Sequence, residues 1–256
     1  RILYLPMSYG NFASAIHEKI VFQLIKNDLI IFRDEVSLRE FTKHSNKKIT
    51  SYLIPDLAIF DTYEETIKDK KEYIVLTARL WMDEYKQKNY EKELALFVHY
   101  MWERYKLKTF FIPMVWNKNE DDDNRVGKKI QALVANKIIF TIVAPNTPLQ
   151  VKKILSRAEL AVCTRMHSAI LSTVVKTPFI TIAYEHKTLG FLKHLGLENW
   201  NIDIENLSSY LLQEKVDDLF ENKYHQFTLK LQEKHQEIMK KEDELIEIVR
   251  SFSSVN

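Results

Sequence analysis

Glycine is scarce in this 256-residue chain: Gly10, Gly127, Gly190 and Gly196 are all there are. Four so placed cannot build a G-x-G-x-x-G or a G-x-x-x-x-G-K-[ST] loop, which excludes nucleotide cradles of those types. Cysteine is scarcer still. Cys163 stands alone, which rules out an intrachain disulfide and a multi-cysteine zinc site and fits a reducing, cytoplasmic setting. No H-E-x-x-H or other spaced metal set occurs and the eight histidines are scattered, so no metal and no organic cofactor are expected. The G-x-S-x-G elbow of serine hydrolases is also missing. No apolar run approaches the roughly 20 residues that span a bilayer, and no signal-peptide pattern opens the chain, so membrane contact is expected to be peripheral at most, at the inner face. Charge of one sign is lacking too: 37 basic against 35 acidic residues leave a formal +2. No global field selects nucleic acid or an anionic surface, and any basic site must be local.

What is present is an alternation of short apolar runs with amphipathic stretches, the pattern of a mostly parallel sheet covered by helices, hence an α/β fold. The pattern predicts strands at 2–5 and 29–32, with a helix over 13–26 whose apolar positions are Ile16, Ile20 and Leu24, and Ser37 capping a short helix. The charged stretch 61–71 reads as a linker. Beyond it, strands are predicted at 73–77, 109–113, 138–143, 160–163 and 179–183, with helices near 90–105, 124–136, 148–157 and 167–175. This divides the chain into a partial N-terminal α/β lobe (1–70), a Rossmann-like lobe of five strands (71–200) and a Lys/Glu-rich helical region (201–256) whose charges read as a solvated face. The chain opens directly in a strand with no initiator Met, so the N-terminal lobe is expected to be truncated.

In doubly wound sheets ligands bind outside the carboxyl ends of the strands, so chemistry is sought there. Arg33 follows Leu29-Ile30-Ile31-Phe32; it is either an anion ligand or half of a surface pair with Asp34 or Glu35. Arg79 holds the same position after Tyr73-Ile74-Val75-Leu76-Thr77, with the same two readings. The acidic run Glu120-Asp121-Asp122-Asp123 precedes a helix and reads as caps and dipole partners rather than metal ligands. The strongest local feature is Leu160-Ala161-Val162-Cys163-Thr164-Arg165-Met166-His167-Ser168-Ala169-Ile170. Here a strand runs through Arg and His straight into a helix, whose orphan N–H groups and Arg165 suit a phosphate. An imidazole at His167 can accept a proton in one state and return it in the next, or it can simply be structural. Lys187, in Tyr184-Glu185-His186-Lys187, lies at a further strand end, either on an anion or in water. Cys163, inside its strand, reads as core.

Taken in order, the Arg33-Asp34-x-x-Ser37 element, Pro55-Asp56, the strand ending in Arg79, Pro113-Met114, Ser156-Arg157-Ala158-Glu159-Leu160, Arg165-Met166-His167-Ser168-Ala169-Ile170, Thr177-Pro178-Phe179, Tyr184-Glu185-His186-Lys187, Phe191 and Leu195-Gly196-Leu197 resemble the polysaccharide pyruvyl transferase family up to about residue 200. Two departures are conservative: Glu159 and Met166 stand where the family often has Asp and Leu. A third is larger, because the family's Gly-rich, Asn-containing opening is not present. The resemblance implies a two-lobed fold similar to GT-B glycosyltransferases with the site between the lobes. It implies transfer of a pyruvyl group from phosphoenolpyruvate to a glycan or lipid-linked glycan, giving a ketal and phosphate. Arg33, Arg79, Arg165 and Lys187 would then bind the donor, with His167 the acid/base and Arg165 stabilising the departing phosphate. Two alternatives stay open: a nucleotide-sugar glycosyltransferase using Glu185 or another carboxylate near the ribose, and an inactive glycan-binding module.

Overall fold

The computed structural model describes residues 1–10, 14–25, 28–45, 49–63, 73–80, 83–115 and 122–254. Every strand pairing among them is parallel. The first sheet takes the order β1 (Leu3–Met7), β2 (Leu29–Phe32), β3 (Thr50–Leu53), with α1 (Ala15–Leu24) and α2 (Glu35–His44) as its crossovers. Both faces of β2 are covered, which is why it is apolar without alternation. Ile30 and Phe32 pack against Phe41 of α2, while Leu29 and Ile31 pack with Ile54 and Ile248 on the other side. β3 reads Thr-Ser-Tyr-Leu and is only half-buried at the sheet edge, so its composition does not announce a strand. α2 is capped by Asp34, whose carboxylate accepts from the N–H of Ser37 at 2.7 Å and from its hydroxyl at 2.8 Å. The cap is therefore Asp34 and not Ser37, since the helix begins two residues before the serine. In α1, Ile16, Ile20 and Leu24 face outward and are exposed; Val21 and Phe22 face the core instead.

The second sheet runs β6 (Phe140–Ile142), β5 (Lys108–Phe111), β4 (Tyr73–Thr77), β7 (Leu160–Cys163), β8 (Phe179–Ala183), β9 (Asn201–Asp203). Its helices are α3 (Glu84–Tyr105), α4 (Asp123–Val134), α5 (Pro148–Ser156), α6 (Met166–Val174) and α7 (His186–Leu195). The sixth strand falls just past residue 200, where the composition places the end of this lobe; at three residues it is too short to show a period. Strand order reverses between β4 and β7, which marks a ligand-binding crevice at their carboxyl ends. β4, β7 and β8 are covered by helices on both faces and supply much of the main core. Burial pushes the Cys163 thiol up to about 12, consistent with a core residue.

Gly127 of α4 lies against this core with no room for a side chain: a Cβ there would come within 2.6 Å of the Phe111 ring. Phe111 is fully buried and cannot move aside freely. Gly127→Ala is expected to cost about 1–3 kcal/mol of stability through overpacking, read as a lower midpoint in chemical denaturation, even though alanine is the better helix former.

The C-terminal helices α8 (Ser209–Asp218), α9 (Tyr224–Met239) and α10 (Lys241–Ser254), with a π turn at Leu219–Lys223 between the first two, do not form a region of their own. Phe227, Leu231 and Ile238 of α9 enter the main core, whereas Leu245, Ile248 and Phe252 of α10 return to the first sheet. Leu229, though at helical spacing with these, lies on the outer face. Of the proposed linker, residues 64–71 lie outside the described residues; Asp61 is tied to the buried Lys152 of α5 at 2.6 Å. The lobes also meet where Lys193 of α7 binds Glu35 of α2 at 2.7 Å. Among the described residues no helix is long and apolar enough to cross a membrane.

Candidate active site

Six strand ends converge on the crevice. β2 and β3 deliver Arg33 and Asp56 from the first sheet; β4, β5, β7 and β8 deliver Arg79, Met114, Arg165–His167 and Tyr184–Lys187 from the second. The β7–α6 junction is held from below by hydroxyls. Thr77 Oγ1 accepts from the Thr164 N–H at 3.1 Å and lies 3.0 Å from Ser168 Oγ, which donates to the Arg165 carbonyl at 2.5 Å. Tyr90 adds its hydroxyl to Thr164 at 2.8 Å. All but the part-buried Ser168–Arg165 bond are buried, so the backbone that presents Arg165 and His167 is set by the core and not by solvent.

The five residues singled out from the sequence fall into three groups, and each arginine has a carboxylate partner. Arg33 donates through Nη1 to Asp56 Oδ2 at 2.6 Å and through Nε to Ser8 Oγ at 2.7 Å. Its partner is thus neither Asp34 nor Glu35: the first is spent on the α2 cap and the second reaches Lys193. The same Asp56 oxygen lies 3.8 Å from His167 Nε2, so Asp56 bridges the lobes between a guanidinium and an imidazole. Asp56 also begins the 3-10 turn Leu57–Phe60 by accepting from the Ala58 N–H at 3.1 Å.

Arg79 and Lys187 form the second group around Glu185. Lys187 Nζ is 2.5 Å from Glu185 Oε2 and Arg79 Nη1 is 3.7 Å from Oε1. The Arg79 guanidinium also stacks over the Tyr184 ring at 4.4 Å and donates from Nε to the Leu80 carbonyl at 3.1 Å. Burial works against a charge on Glu185, but Lys187, Tyr184 and Arg79 together hold its carboxyl below the usual range.

Arg165 forms the third group. Its Nη2 and Nε donate to Asp123 Oδ1 and Oδ2 at 2.6 and 3.2 Å, a two-pronged pair in which Asp123 is fully buried. Asp123 Oδ2 further accepts the N–H groups of Met114 and Val115, each at 3.0 Å. Desolvation pushes the Asp123 carboxyl up, against the pull of Arg165 and the two N–H groups. Of the acidic run, Asp122 is the cap of α4 as expected, Asp123 is this internal counter-ion, and residues 120 and 121 lie outside the described residues.

The His167 side chain is 57% exposed and forms one wall of a cleft of about 340 Å³ that is otherwise mostly apolar, with Pro113, Met114, Pro145, Pro148 and Leu171 among its lining and Asn146 and Thr147 at its rim. Apart from the imidazole, no aromatic ring lines it among the described residues. The partner acids Asp56, Asp123 and Glu185 are the features of the candidate site that sequence reasoning did not place with their arginines; their one signal was position, each lying at or just before the start of a helical turn.

Comparison with known proteins brings two kinds of likeness. The profile of the polysaccharide pyruvyl transferase family matches residues 1–186. The amylovoran biosynthesis protein AmsJ of Erwinia amylovora is 33% identical over 102 residues, a stretch that spans 40% of this chain and 25% of that protein. Among solved structures, the sucrose-phosphate synthase of Thermosynechococcus elongatus superposes with a TM-score of 0.63 at 12% identity, over 96% of this chain and 65% of that one. The pneumococcal O-GlcNAc transferase GtfA, solved with UDP and GlcNAc, does so with a TM-score of 0.60 at 13% identity, over 90% of this chain and 54% of that one. At such identities the structural likeness speaks for the fold, a GT-B-like pair of α/β lobes, and not for the chemistry.

Proposed function

The chain belongs to the polysaccharide pyruvyl transferase family, and from that premise we propose that it transfers a pyruvyl group from phosphoenolpyruvate to two hydroxyls of a sugar in a polysaccharide precursor, free or lipid-linked, on the cytoplasmic side of the membrane. The observation that carries this reading is the set of cations, Arg33, Arg79 and Lys187, at strand ends on the carboxyl side of the sheets, with Arg33 and the exposed His167 sharing the Asp56 carboxylate. The donor carries a phosphate and a carboxylate, and guanidinium and ammonium groups in a desolvated crevice bind both.

In the reaction one sugar hydroxyl adds to C2 of the donor while its methylene carbon takes up a proton and becomes a methyl group. The second hydroxyl then displaces phosphate from C2, closing the ketal, and its proton leaves with the phosphate. His167 is proposed to pass these protons. Arg165, fixed by Asp123, is proposed to stabilise the charge that builds on the departing phosphate. Because the phosphate ester is itself the activated leaving group, the proposal calls on no metal and no further cofactor.

The test is isothermal titration of phosphoenolpyruvate, in a chelating buffer, into the wild-type chain and into Arg79→Ala. The wild type is expected to bind, and the variant to bind at least about tenfold more weakly, the scale of a lost charged hydrogen bond. Tight binding of a nucleotide sugar with none of phosphoenolpyruvate would replace this reading by glycosyl transfer.

A further inference from the structure

We propose that a cavity at the far end of α7, walled by Trp200 and three lysines, is a second saccharide site that takes a sugar bearing a carboxylate. It lies away from the crevice. α7 starts at the carboxyl end of β8 and runs ten residues to Leu195, about 15 Å on, and the cavity opens where the chain turns back into β9. Its volume is about 250 Å³, room for one sugar residue rather than for a larger ligand.

Charge sets this cavity apart. Lys215, Lys223 and Lys230 line it against one carboxylate, Asp218, among the described residues. That carboxylate is paired with Lys223 at 2.6 Å. Lys215 and Lys230 reach main-chain carbonyls instead: Lys215 Nζ donates to that of Asn199 at 2.5 Å, and Lys230 Nζ to that of Gly196. Lysines commonly bind the carbonyls that end a helix, but an ammonium has three donors and one carbonyl takes one. Burial holds the pKa of Lys215 below its usual value, with Lys223 pushing the same way and Asp218 and Glu214 against it. An anion bound here would offset that cost. Gly196 takes part as well: its left-handed φ of +60 closes α7, and a Cβ there would stand 3.1 Å from Lys230 Cε and Nζ. Glycine thus permits both the turn and the approach of the ammonium to the backbone.

The rest of the wall suits a sugar better than a bare inorganic anion. Trp200 is half-buried and backed edge-to-face by Phe227, with 5.3 Å between ring centroids. The negative face of an indole attracts the C–H face of a pyranose. Lys223 Nζ stands 6.0 Å from the ring centre, at the outer limit of a cation–π contact. The side-chain amides of Asn199 and Gln226, also at the cavity, offer donors and acceptors to hydroxyls, while a carboxylate on the same sugar would pair with Lys215 and Lys230. Uronic acids and pyruvate ketals share this chemistry. A second grip would raise the local concentration of a long glycan at the crevice.

The test is calorimetric titration of digalacturonic acid, of the neutral galactose disaccharide with the same linkage and of inorganic phosphate into the full chain. Wild type is expected to bind the acidic disaccharide at least about tenfold more tightly than either of the others. Lys215→Met and Lys230→Met, which keep the apolar stems, should each weaken it about tenfold, the scale of one charged hydrogen bond. Lys223→Gln, at an exposed position, should weaken it in the same direction and guards against local unfolding in the other two. His167→Gln should bind it as wild type does. No binding to wild type, equal binding of acidic and neutral disaccharides, binding of phosphate alone, or full binding by all three lysine variants would overturn the proposal. So would loss of binding in His167→Gln, which would put the sugar in the crevice. The donor assignment stands in every case, because no titration contains phosphoenolpyruvate.

Discussion

Asp123→Ala is expected to remove about 3–5 kcal/mol of folding stability, the scale of a buried ion pair broken on one side, which makes it the most damaging single exchange at this site. Arg165, only 11% exposed, would lose the two-pronged acceptor that Asp123 gives it, and the Met114 and Val115 N–H groups would lose their shared acceptor. The carboxylate thus joins the α4 start, the loop after β5 and the β7–α6 junction. Urea denaturation measures the loss directly. Replacing both partners with apolar residues of similar size, as in Asp123→Leu with Arg165→Met, is expected to recover part of it, since the pair repays only some of its desolvation. A single exchange costing no more than a surface pair would show that water reaches Asp123.

His167→Gln should leave the fold and phosphoenolpyruvate binding near wild type and lower kcat by about 10²–10⁴-fold, the range for a positioned proton-transfer group. The side chain is exposed and rests on the β7–α6 backbone rather than supporting it, so its loss should not propagate into the core. Glutamine can still hydrogen-bond but cannot titrate, which separates proton transfer from positioning. Steady-state rates of phosphate release with an acceptor glycan provide the readout. A kcat near the wild-type value would take the imidazole out of the mechanism and leave the cations as the catalytic apparatus.

Much of the second sheet is legible in the sequence because its central strands are bounded runs of buried residues. Tyr73–Thr77, Leu160–Cys163 and Phe179–Ala183 are strands over the residues where the apolar pattern puts them. The sheet edges are not legible. Thr50–Leu53 is polar on its open side and Asn201–Asp203 is too short for any period to register. Periodicity also misleads in α1, where Ile16, Ile20 and Leu24 keep helical spacing but are exposed; spacing tells that a face is apolar, not that something covers it. At the site, strand-end logic finds the arginines but not their partners. Arg165 and Asp123 are 42 residues apart and Arg33 and Asp56 are 23 apart, and no local rule links such pairs. The neighbours that sequence offers Arg33, Asp34 and Glu35, prove to be engaged elsewhere.

The return of α10 to the first sheet has a consequence for how the chain is made. Leu29, Ile31 and Ile54 wait for Ile248 to complete their layer, so the first sheet keeps one oily face bare until α10, far along the chain, packs onto it. Such distant closure slows folding and leaves that face open to chaperones or to misassociation meanwhile. Docking of α10, rather than formation of the first sheet, is the step at which that lobe acquires its final protection from proteolysis.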